Sequence, residues 1–109
     1  MSVNAGELAG SMLGAMKGVL SEKWPEMKEY GEAEAKKLAE SIVMIQTLRA
    51  SNKIDEEEAA LHFAMQKNAS RTVLLAIEGL GVLAAEQAIN AALNVVKDTV
   101  NTSVGFVLI

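Results

Sequence analysis

An all-α fold is what this sequence of 109 residues predicts: a short N-terminal helix followed by a long antiparallel helical hairpin. Three observations carry the prediction. Hydrophobic residues make up 50% of the chain and aromatics only 4%, so the core is built from Ala, Leu, Ile, Val and Met, which suits closely packed helices. Apolar positions recur at helical spacing along most of the chain. The single proline, Pro25, falls between two such stretches, and nothing comparable interrupts residues 54–100.

The first helix is expected over residues 4–22. Asn4 is a suitable N-cap and Glu7 lies in the first turn, where a carboxylate favours the positive end of the helix dipole. Gly6, Gly10, Gly14 and Gly18 then repeat every fourth residue along one slowly drifting stripe. Each glycine costs roughly 1 kcal/mol against alanine inside a helix. Close approach of a second backbone is the usual compensation, so the stripe predicts docking on the rest of the bundle. Self-association through the stripe and a membrane-active helix are the other readings.

Pro25 pushes the preceding residue out of the α region and serves as a first helical residue. The second helix is expected over residues 25–51, with Trp24 wedged between helices. Met27, Tyr30, Leu38, Ile42, Ile45 and Leu48 mark its apolar stripe. Glu32, Lys36, Lys37, Glu40 and Arg49 read as a solvated face, and Gly31 is a local weak point. Ser51-Asn52-Lys53 makes the turn, short enough to set the next helix antiparallel.

The third helix is expected over residues 55–100, a single element that outlasts its partner. Asp55 caps the first turn, and Glu58, three residues on, completes a capping box; Ile54 and Ala59 sit where a hydrophobic staple closes. At about 1.5 Å per residue this helix would overhang the second from roughly residue 79 onward. Residues 72–85 carry one charge, Glu78, and are apolar all round, which requires cover on every side. Farther on, Gln87, Asn90, Asn94 and Asn101 form a polar stripe opposite Ile89, Leu93, Val96 and Val100. The uncovered part predicts self-association into a homodimer or tetramer. Its interface is expected at Leu75, Leu80, Val82, Leu83 and Ala84, continuing through Ala88, Ile89, Ala92, Leu93 and Val96. The apolar tail, residues 102–109, is expected to tuck against the bundle or a neighbouring copy. Met12, Met44 and Met65 read as core fillers.

Composition bounds function mainly by exclusion. The net charge is −4 and there is no basic block, which argues against nucleic-acid binding. Cysteine is absent, which removes disulfides, thiolate metal sites and cysteine nucleophiles and fits a cytoplasmic setting. The N-terminus lacks the positive region of a secretory signal. Residues 73–96 are long enough to cross a bilayer, but Glu78 and Glu86 would each cost a few kcal/mol there.

Few residues offer chemistry. Glu58 and the only histidine, His62, lie four apart and share a helix face. That supplies two metal ligands and is one residue longer than the Glu-x-x-His spacing of di-iron bundles. A symmetric dimer could add Glu34, Glu78 or Glu86. Arg71, on the same side as Glu78, is a cation able to pair across such a dimer. No phosphate-binding loop or Gly-x-Ser-x-Gly elbow is present, so an enzyme is not expected and no cofactor is implied. The leading expectation is a non-enzymatic, self-associating helical protein with room for another protein partner. A carboxylate-rich metal-binding bundle assembled across a dimer and a small membrane-active protein are the alternatives.

Overall fold

The computed structural model describes residues 3–109. These form four α-helices: α1 (Ala5–Leu20), α2 (Trp24–Ala50), α3 (Glu56–Leu75) and α4 (Val82–Val104), with a 3-10 turn over Ser21–Lys23 between α1 and α2. No strand occurs among the described residues.

Local chemistry sets most of the boundaries. The Asn4 side chain accepts a hydrogen bond from the Glu7 N–H, which caps α1. Pro25 occupies the first turn of α2, where its missing N–H leaves no helical bond unmade, and Trp24 before it is helical (φ −55°, ψ −45°) rather than pushed out of the α region as expected. Asn52 takes a left-handed conformation (φ 56°) in the turn after α2, and asparagine tolerates it well. The capping box at α3 forms as read: the Glu58 N–H donates to Asp55 at 2.8 Å, and the Asp55 N–H donates to Glu58 at 3.1 Å. Gly105, left-handed at φ 84°, ends α4.

The expected single helix over 55–100 is two helices. Residues 76–81 form a turn in which Gly79 and Gly81 take φ values of 80° and 81°. Gly81 combines its φ with ψ 159°, a region open essentially to glycine alone. Leu80, between the two glycines, is buried and anchors the turn to the core. Gly81→Ala is expected to destabilise the protein by about 1–3 kcal/mol through backbone strain, read from the urea midpoint.

With the turn in place, the four helices alternate in direction. The Val3 N–H donates to the Gln46 side-chain oxygen at 3.2 Å, so α1 begins where α2 ends. Lys37, Ser41 and Met44 in the middle of α2 share a groove with Gln66 in the middle of α3. Arg71 near the end of α3 bonds Glu86 near the start of α4. The Arg49 guanidinium, late in α2, stacks 5.4 Å from the Phe106 ring centroid, which follows α4. The result is a helical bundle measuring 43 × 22 × 18 Å, about one α2 long. There is no overhang, because α4 folds back along the bundle.

The core takes Leu8, Met12, Met16 and Leu20 from α1, Leu38, Ile42 and Ile45 from α2, Phe63 and Leu74 from α3, and Ala88, Ile89, Ala92 and Val96 from α4. Trp24 is buried, and its ring lies where a Cβ on Gly31 would come within 3.1 Å. Gly31 is thus the seat of the tryptophan wedge rather than a weak point. The tail tucks back within the chain: the Leu108 and Ile109 N–H groups both donate to the Asn101 side-chain oxygen, and Phe106, Leu108 and Ile109 are half-buried. Of the three methionines read as core fillers, Met12 is buried, while Met44 and Met65 stand on the surface.

Candidate functional site

The face of α4 expected to meet a second copy is largely occupied inside the chain. Leu80, Ala88, Ile89, Ala92, Leu93 and Val96 are buried, and Leu75 and Ala84 are half-buried. Only Val82 and Leu83, in the first turn of α4, remain exposed. The cover comes chiefly from α1, which packs against both α4 and α2. On an unbroken rod, residues 72–96 would be covered in part by the N-terminal helix and for the rest by a second copy. Once the glycine turn reverses the chain, the four-helix core absorbs them.

The glycine stripe is also placed differently from its reading. α1 docks through Leu8, Met12, Met16 and Leu20, while Gly10, Gly14 and Gly18 are exposed. A Cβ added at any of these three glycines would meet no atom within 4 Å, so among the described residues nothing packs on them; Gly6, at the start of the stripe, lines a groove with Lys36 and Glu40 of α2.

The metal-ligand candidates do not converge. Glu58 is engaged in the α3 cap, His62 is exposed on α3, Glu78 is exposed in the turn and Glu86 lies on α4. Among the described residues no group of three or more His, Cys, Asp or Glu side chains is arranged to hold a metal ion. Arg71 pairs with Glu86 rather than with Glu78, and does so within the chain: its Nε and Nη2 both donate to Glu86 Oε1, at 3.2 and 2.8 Å. Both partners are partly exposed, so the pair contributes at most about 1 kcal/mol. It bridges a groove of about 310 Å³ between α3 and α4, floored by Ile89 and lined also by Lys67, Asn68 and Asn90.

One carboxylate escaped the sequence reading as a buried group. Glu34 is only 2% exposed. Lys37 donates to its Oε2 at 3.1 Å, while Oε1 has no partner among the described residues. Burying a charge half-satisfied is costly. The signal was present: Met27, Gly31, Glu34, Leu38 and Ile42 follow helical spacing, so Glu34 falls on the buried stripe of α2 rather than in the solvated charge run.

Two long apolar side chains one turn apart are left outside. Leu61 is 63% exposed and Met65 62% exposed, both on the outer face of α3. Met44 of α2 is exposed beside the α2–α3 groove. Among the described residues no helix is long and apolar enough to cross a membrane. No protein-family model, no curated protein and no solved structure matches this chain.

Proposed function

We propose that this chain is a non-enzymatic, self-associating helical-bundle protein acting in the cytoplasm, with a second copy of itself as its first partner. The observation that carries the reading is the Leu61–Met65 pair on α3. Two large apolar side chains adjacent on one helix face, each nearly two-thirds exposed, offer an apolar spot that a second copy would cover. Met44, Val82 and Leu83 extend the exposed apolar area on other elements. The absence of cysteine and the acidic net charge fit the cytoplasmic setting.

Light scattering on an eluting peak in detergent-free buffer tests the proposal. The expected result is a single species at a small multiple of the 11.6 kDa chain mass. A monomer at every concentration would remove the self-association reading.

A further inference from the structure

We propose that two copies associate through an antiparallel α3–α3 contact, with the two-fold axis near Ala64 and Met65. This inference rests on the self-association reading and names its surface.

The argument begins with the helix itself. α3 buries only Ala59, Phe63, Ser70 and Leu74, all on one side. On the opposite side Glu57, Leu61, Ala64, Asn68 and Thr72 recur at steps of four and three residues, with Met65 beside them, and all are exposed. That is the spacing of a two-helix seam, apolar at its centre and polar at both ends.

The charges along α3 are polarised. Asp55, Glu56, Glu57 and Glu58 crowd its first turn, and no basic residue precedes Lys67 and Arg71 in its second half. A parallel pairing would set acid against acid. An antiparallel one brings the acidic turn of each copy to the basic half of the other and places Glu57 opposite the partner's Arg71. Both groups have capacity to spare. Glu57 and Lys67 make no described ion pair, and Arg71 uses Nε and Nη2 on Glu86 while Nη1 has no described partner. Like charges facing across an interface oppose association and opposite charges fix its register, so the pattern selects a second copy in one orientation. A seam of two helices is smaller than a standard protein interface, which places the dimer among the weaker, concentration-dependent ones.

The chain has no cysteine, so single introduced thiols report the geometry directly. In the full chain under mild oxidation, Ala64→Cys is expected to form a disulfide-linked dimer with its own copy. Thr72→Cys is expected not to, because an antiparallel axis near Ala64 separates the two copies of that position by about 24 Å. Leu61→Glu, at an exposed position, is expected to keep its helical circular dichroism and to return the native mass to that of the single chain. Cross-linking at both positions would show a parallel pairing and overturn the inference. A dimer that cross-links at neither position and survives Leu61→Glu would place the interface elsewhere, overturning this inference while leaving self-association standing. A monomer throughout would overturn both.

Discussion

Ile89→Ala is expected to lower the unfolding free energy by about 2–5 kcal/mol, the range for truncating a fully buried aliphatic side chain that leaves a cavity. Ile89 is 1% exposed and sits in the shared core of α1, α2, α3 and α4. For a domain of this size such a loss is a large fraction of total stability. Its dependence on concentration carries the information. If α4 met a second copy at Ile89, the destabilisation would vary with protein concentration by mass action. With Ile89 enclosed by its own chain, the difference between variant and parent is the same at low and high concentration. Urea unfolding followed by far-ultraviolet circular dichroism, at two widely separated concentrations, measures this. The neighbouring Leu83→Ala, at an exposed position, is expected to change stability by less than about 0.5 kcal/mol.

The second large effect has the opposite sign. Combining Gly10→Ala, Gly14→Ala and Gly18→Ala is expected to raise the stability of the chain by about 2–3 kcal/mol, since each replacement recovers roughly 1 kcal/mol of helix propensity. None of the new methyl groups has an atom within 4 Å to strain against. The urea midpoint should move upward with unchanged slope. A fall in stability would mean that a backbone does pack on this face in solution. In that case the native mass would fall together with the midpoint.

These expectations also separate what sequence reasoning reached from what it did not. The Asp55–Glu58 capping box, the Asn4 cap and the Pro25 start of α2 are contacts between residues a few positions apart, and each formed where its pattern lay. The polar stripe of Gln87, Asn90 and Asn94 opposite Ile89, Leu93 and Val96 was equally legible, because helical periodicity is a property of one element. The turn at residues 76–81 was harder. Gly79 and Gly81 stand in a strongly apolar run without proline, and a small residue there reads as helix packing as easily as a left-handed turn. That one ambiguity propagated. An unbroken helix leaves residues 72–96 only partly covered by α1 and transfers the rest of their burial to a second copy, whereas the turn brings nearly all of it inside the chain.

The candidate surface followed the same logic. Leu61 was not singled out and Met65 was read as core, because the sequence does not say which side of α3 the bundle takes. Glu34, read only as a carboxylate that a dimer could add to a metal site, is buried within its own chain, where its register with Met27, Gly31 and Leu38 places it. The sequence by itself determined that the chain is all-α, where its helices are capped and which residues share a helix face, since these depend on propensity, short-range hydrogen bonds and a fixed period. Only the tertiary structure decided that four helices rather than three share the core, that α1 covers α4 with its glycines turned outward, and that α3 presents Leu61 and Met65 to the outside. Each of these depends on which face meets which neighbour, and that is set by the total apolar surface four helices can bury together.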